Sequence, residues 1–274
     1  MAFETGQLVL MAGLLALVGV AGGLLAGLLG VGGGIVIVPA LFWVLSALGV
    51  APDVAMSVAV GTSLATIIPT SISSARAHHA KGNVDTALLR RWAPFVFAGA
   101  MTGGLLSYVL DGTALTLLFG TVALLVAANM AFPRGGGPTR TLPTRRGAQA
   151  SIASVIGLFS ALMGIGGGTF GVPVLSLFGY VAHRAVGTAA AIGLVIAVPG
   201  TFGFVLGGLG EAGRPPLSLG YVNLPAVAVI VPLTVTMAPV GAGLGHRLSA
   251  VRLKQVFALF LAITALRMLW ASFA

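Results

Sequence analysis

GLLGVGGGIVIVPAL, residues 27–41, returns in the second half of the chain as ALMGIGGGTFGVPVL, residues 161–175, with glycines, valine, proline and leucine at matching places. Each copy lies inside a long apolar stretch. Three successive glycines strip side chains from the backbone, and the proline that follows removes a backbone donor. Backbone of this kind is not stable against lipid, so both copies are expected to line a protein-enclosed cavity.

The surroundings of the motif are as informative. Of 274 residues, 58% are hydrophobic and only 7% are charged, and the mean hydropathy is +1.09. Such a chain cannot cover itself with a water-compatible surface and reads as an integral membrane protein. Apolar runs fall near residues 8–29, 35–48, 54–74, 92–110, 114–132, 148–163, 170–181, 185–207, 224–245 and 251–273. They are apolar on every face, without the alternation of a transmembrane barrel, so the expected fold is all-α with about ten hydrophobic segments. Several runs are shorter than the roughly 20 residues a full span needs, and the short ones flank the glycine motifs, which predicts broken or re-entrant helices there. The first run lacks a basic leader and a small-residue cleavage site, and reads as a mature helix rather than a signal peptide.

The formal net charge is +9, but the basic residues sit between hydrophobic runs and form no single face, which argues against nucleic acid. Their meaning is topological. Arg76, Lys81, Arg90 and Arg91 mark one break, and Arg134, Arg140, Arg145 and Arg146 mark another, so both are expected in the cytoplasm. The turn at Asp111 carries no Lys or Arg and is expected outside, with the amino terminus. The break holding Arg247, Arg252 and Lys254 returns to the cytoplasm, and the carboxyl terminus ends outside. Trp43, Trp92 and Trp270 fall near predicted span ends and read as interface anchors. Absence of cysteine excludes disulfides and thiolate chemistry.

The duplication extends beyond the glycine motif. Gly61-Thr62-Ser63 answers Gly187-Thr188-Ala189, and Gly82-Asn83-Val84-Asp85 answers Gly220-Tyr221-Val222-Asn223; from there an offset of 138 pairs Pro94 with Pro232 and Gly103 with Gly241. Two five-segment repeats follow: residues 1–132 and 148–274, joined by a flexible cytoplasmic linker over 133–147. An odd number of crossings inverts the second repeat relative to the first, an arrangement characteristic of transporters.

Candidate binding residues come from this register. Gly32, Gly33, Gly34, Gly166, Gly167 and Gly168 break helices, and the first amides of the half-helices that follow would hold a small anion through unpaired N–H groups and the positive dipole end. Glycine serves tight helix packing equally well. Thr62, Ser63 and Thr188 stand at matching places in apolar helices, able to donate to an oxyanion or to bond a neighbouring helix. Pro39 and Pro173 mark gating half-helices. Asp85 and Asn223 read as helix caps. Small-x-x-x-small pairs at Gly23/Gly27, Gly99/Gly103, Gly203/Gly207 and Gly241/Gly245 suit close helix contact and a possible homodimer surface. No Asp, Glu, Lys or Arg lies at mid-span, and the four histidines cluster at span ends, so neither a metal, a cofactor nor a carboxylate relay is expected. The glycines lack the strand and the acidic ribose ligand of a dinucleotide site.

These motifs together resemble the TauE/SafE family of sulfite and organosulfonate exporters, along essentially the whole chain. The resemblance implies a bacterial-type inner-membrane transporter for small sulfur-containing anions such as sulfite or sulfoacetate. The expected function is secondary transport of a small anion by alternating access around a midplane site between the repeats. The rivals are a passive anion channel of the same architecture, an intramembrane enzyme, for which acid/base and nucleophilic residues are missing, and a structural scaffold. Ala189 stands where the first copy has Ser63, and Thr169 where it has Ile35, so the two halves are expected to contribute unequally.

Overall fold

A computed structural model describes residues 5–29, 33–131, 141–244 and 250–271. Among these the chain forms ten α-helices: α1 (Thr5–Leu29), α2 (Gly34–Ala47), α3 (Pro52–Ala80), α4 (Thr86–Leu105), α5 (Gly112–Ala131), α6 (Arg146–Leu162), α7 (Gly168–Leu177), α8 (Ala182–Gly207), α9 (Leu224–Leu244) and α10 (Ala250–Ala271). All ten hydrophobic runs are therefore helical. A two-stranded hairpin, β1 (Ser218–Leu219) and β2 (Val222–Asn223), is the one sheet among the described residues, and nothing in its short, mixed sequence announced it.

Lengths separate spanning from non-spanning helices. At 1.5 Å per residue, α3, α5, α8 and α9 are long and apolar enough to cross a hydrocarbon core of about 30 Å. The 14 residues of α2 and 10 of α7 are not. These two short helices begin at the glycine motifs, as the sequence predicts. The outer surface is apolar: Leu17, Leu125, Leu259, Phe202 and Leu266 are each more than half exposed, a surface suited to lipid and not to water.

Two segment boundaries differ from the sequence reading. The basic break expected over 76–91 is mostly helix, because α3 runs on to Ala80 and α4 already starts at Thr86. Lys and Arg are good helix formers, and Asp85 starts α4 by accepting the Leu88 amide at 2.9 Å. Trp92 is no interface anchor either. It is fully buried, and its Nε1 donates to Gln149 Oε1 at 3.2 Å, joining α4 to α6. Trp270 is 78% exposed, in keeping with an anchor, whereas Trp43 lies under the Arg267 guanidinium, 5.2 Å from its ring centre.

Helix contacts cross between the two halves reciprocally. Helix α1 packs on α9 while α6 packs on α4, and α3 packs on α9 while α8 packs on α4; α3 also meets α8, and α5 meets α10. The small residues make these contacts. A Cβ on Gly103 would lie 2.6 Å from Leu158 O, and one on Gly241 would strike Leu24 O, the matching residue of the other half. Likewise Gly23 faces Thr234 as Gly157 faces Val96. Without side chains between them, the backbones approach closely enough for dispersion contacts to replace the hydrophobic drive that lipid removes.

Gly103→Val and Gly23→Val, which place side chains against backbone of a facing helix, are expected to lose the monodisperse species on size-exclusion chromatography in detergent. Gly13 has nothing within 4 Å of its missing Cβ, so Gly13→Ala is expected to keep that peak and to gain up to about 1 kcal/mol from helix propensity.

Candidate functional site

Both glycine motifs work as chain reversals ahead of a short helix. In the second copy, α6 closes with Gly164 in the left-handed region (φ 65), where L side chains are disfavoured. Its N–H donates to Ala161 O and the Ile165 N–H to Ser160 O, satisfying the last carbonyls of α6. Helix α7 then starts at Gly168, with Gly167 as its cap. In the first copy Gly33 is the left-handed residue, φ 77, and caps α2 without a side-chain bond. Gly22 O lies 2.8 Å from the position its Cβ would take. Gly32 lies outside the described residues.

The two reversals meet at the crossing of α3 and α8. Gly34 packs directly on Gly164 O and Ile165, and Gly167 packs on Ala189 O. Every residue from Ala161 to Thr169 is buried, as are Gly33 and Gly34. Ser63 Oγ donates to Gly164 O at 2.7 Å and so pins the α6–α7 reversal to α3. The first N–H groups of α2 and α7 have no intrahelical acceptor, so both helices present amide ends inside the protein. Pro39 and Pro173 lie in the bodies of these helices; each lacks an N–H and leaves the carbonyl four residues earlier without its usual partner.

Thr62 and Thr188 bond across the halves. Thr62 Oγ1 accepts from Asn223 N, and Thr188 Oγ1 accepts from Asp85 N, both at 2.9 Å. The preceding glycines allow it: Gly61 lies 2.6 Å (Cβ position) from Tyr221 O, and Gly187 lies 2.5 Å from Asn83 O. Asp85 and Asn223 in turn cap α4 and α9, through Leu88 N at 2.9 Å and Ala226 N at 3.0 Å. Each half thus supplies a hydroxyl that completes the start of a helix in the other.

Around these caps the symmetry ends. Asp85 Oδ2 accepts from Tyr180 OH at 3.0 Å and from Arg184 at 3.1 Å, the one ion pair among the described residues. Burial pushes the Asp85 carboxyl up, but the Leu88 amide, the Tyr180 hydroxyl and the Arg184 charge outweigh it and hold the group below its ordinary value. Burial, then the bond to Asp85, push the Tyr180 phenol up to about 12. Asn223 has only neutral partners, its Nδ2 donating to Pro216 O and Ser218 Oγ.

Two buried hydroxyls near the start of α7 lack any hydrogen-bond partner: Ser71, 1% exposed, and Thr169, 4% exposed. A Cβ on Gly193 would lie 2.8 Å from Ser71 Oγ and 3.2 Å from Gly167 N, so α8 packs closely on both at this point. The sequence reading missed Ser71 and Gly193 and noted Thr169 only as a departure. The signal was available, because all three are places where the duplication breaks: at the offsets set by Gly61/Gly187 and by the glycine motif, Gly193 answers Ile67, Ser71 answers Ala197 and Thr169 answers Ile35.

A multi-pass α-helical membrane protein with paired, buried helix starts is the class these features define. The family described as "Sulfite exporter TauE/SafE" matches residues 15–268, and the chain belongs to that family. A probable membrane transporter protein of Haemophilus influenzae is 37% identical over 254 residues, covering 92% of this chain and 96% of that protein. Another from Xylella fastidiosa is 29% identical over 263 residues, 92% of each chain. One from Methanocaldococcus jannaschii is 24% identical over 270 residues, 96% of this chain and 97% of that protein. No solved structure gives a significant match.

Asp85→Asn keeps the helix cap, as Asn223 does in the other half, and is expected to lower the melting temperature in detergent by at most a few degrees, since the Arg184 partner is half exposed. Asp85→Ala also removes the cap and costs about 1 kcal/mol more. Because the carboxyl is held low when folded, its contribution is complete above its ordinary value of 3.8 and is lost as pH falls below it. The gap between wild type and Asp85→Asn is therefore expected to close at acidic pH in a melting series.

Proposed function

We propose that the chain is a secondary transporter that moves a small sulfur oxyanion, sulfite or an organosulfonate such as sulfoacetate, across the inner membrane by alternating access. The carrying observation is the meeting of two short helix starts inside the core, Gly34 of α2 against Gly164 and Ile165 of the reversal that begins α7. Amide ends buried in the core attract negative charge without a lysine or arginine. The anion site is placed at Gly33, Gly34, Gly166, Gly167 and Gly168, framed by Thr62, Ser63 and Thr188. The proline-bearing bodies of α2 and α7 move with it.

In this reading the repeats, residues 1–132 and 148–274, are inverted, and the linker over 133–147 is cytoplasmic. The reciprocal packing of α1 on α9 and α6 on α4 supports a two-fold relation between the halves. The basic end of the bundle, with Lys81, Asp85 and Arg184, faces the cytoplasm, and both termini face outward. Transport fits the buried centre better than catalysis does, because among the described residues no acid/base or nucleophilic set converges there.

Reconstituted into proteoliposomes, the protein is expected to take up labelled sulfite or sulfoacetate saturably, faster when the vesicles are preloaded with the unlabelled anion. Flux that never saturates and ignores preloading would mark a channel. No flux of either anion across a range of pH and gradients would defeat the substrate assignment.

A further inference from the structure

The duplication matches the two helix starts position by position, and the matching residues differ in kind. Around α2, Ile67 Cδ1 lies 3.0 Å from the Cβ position of Gly34, and Ile67, Ile35 and Ala197 are all buried and apolar. At these places the amide end of α2 has only apolar side chains. Around α7 the same three places hold Gly193, Thr169 and Ser71. Here a side chain is missing where Ile67 fills the other half, and two hydroxyls are present where the other half has only carbon.

Buried hydroxyls without a partner are unfavourable, and native interiors rarely keep them unless a ligand or water completes them. Ser71 Oγ and Gly167 N both lie against Gly193, and Thr169 Oγ1 belongs to the first turn of the helix that Gly167 caps. The earliest bond of that helix accepted by Gly167 comes from Gly171 N, so the amides from Gly167 to Thr169 have no acceptor within it. All these groups can donate, and the dipole end is positive. A cation is therefore repelled, and an apolar ligand would leave the hydroxyls unpaired.

We infer that the anion is held on one side only, at the start of α7, by Ser71, Thr169 and the Gly167–Thr169 amides, while the matching places at α2, Ala197 and Ile35, are apolar. The inference rests on the transport reading above and narrows it. The ligand is a compact oxyanion with at least three acceptor oxygens on one centre, as in sulfite or the head of a sulfonate, so that hydroxyls and amides are served together.

The test uses the full chain, purified in detergent and in proteoliposomes, with sulfite and sulfoacetate as probes. Ser71→Ala and the nearly isosteric Thr169→Val are each expected to raise about ten-fold both the transport KM and the concentration giving half-maximal thermal stabilisation, with an unchanged size-exclusion profile. Should Ser71→Ala fail to fold, Thr169→Val alone carries the test. Ala197→Ser, which adds a hydroxyl at the matching place beside α2, is expected to stay within two-fold of wild type. A wild type that transports while Ser71→Ala and Thr169→Val keep its affinity overturns the one-sided site and leaves the transport reading standing. A wild type that neither binds nor moves either probe overturns both.

Discussion

A helix that begins inside a low-dielectric interior has amide hydrogens with nowhere to go, and this fold depends on how those hydrogens are disposed of. At α4 and α9 the answer is a threonine from the opposite half: Thr188 takes Asp85 N, and Thr62 takes Asn223 N. Left unpaired in such surroundings, a backbone group costs several kcal/mol. The glycines beside the threonines follow from the same demand, since a Cβ on Gly61 or Gly187 would hold the partner backbone away. At α2 and α7 no such threonine closes the helix start. Capping satisfies one pair of helix starts, and the other pair is left for burial or for a ligand.

Much of this was legible in the chain. The ten apolar runs fixed the number of helices, because in lipid hydropathy alone selects the spanning segments. The duplication located both short helices, and Asp85 and Asn223 were recognisable caps. Other features depend on distant partners. Trp92 opens an apolar run, as an anchor would, yet Gln149 draws its indole into the core. Local sequence could not show that Arg76 to Ala80 continue a helix past the apolar run. For Thr62, Ser63 and Thr188 the sequence offered two roles, ligand donor or interhelical bond. In the structure their hydroxyls bond protein groups from distant parts of the chain, which only three-dimensional proximity reveals.

Departures from the repeat carried more information about the site than its agreements. Where the halves agree, as in Gly61 and Gly187 or Gly103 and Gly241, the residues hold helices together. Where they disagree, Ser71 against Ala197, Thr169 against Ile35 and Gly193 against Ile67, the chemistry at the centre changes. The periphery disagrees too: the Asp85–Tyr180–Arg184 cluster ties α4 to the α7–α8 turn with charge, while Asn223 ties α9 to the hairpin with neutral bonds. Of these two ties, only the charged one weakens with salt or acid.

The exchange of threonines makes the two halves depend on each other. Neither half completes its own fourth helix, since each takes the needed oxygen from the other. A half on its own would leave the Asp85 or Asn223 amide without the threonine that takes it here. Within one chain the exchange is a contact and not an association between molecules, so residues such as Ser71 and Ile67 can differ from their counterparts without a matching change opposite.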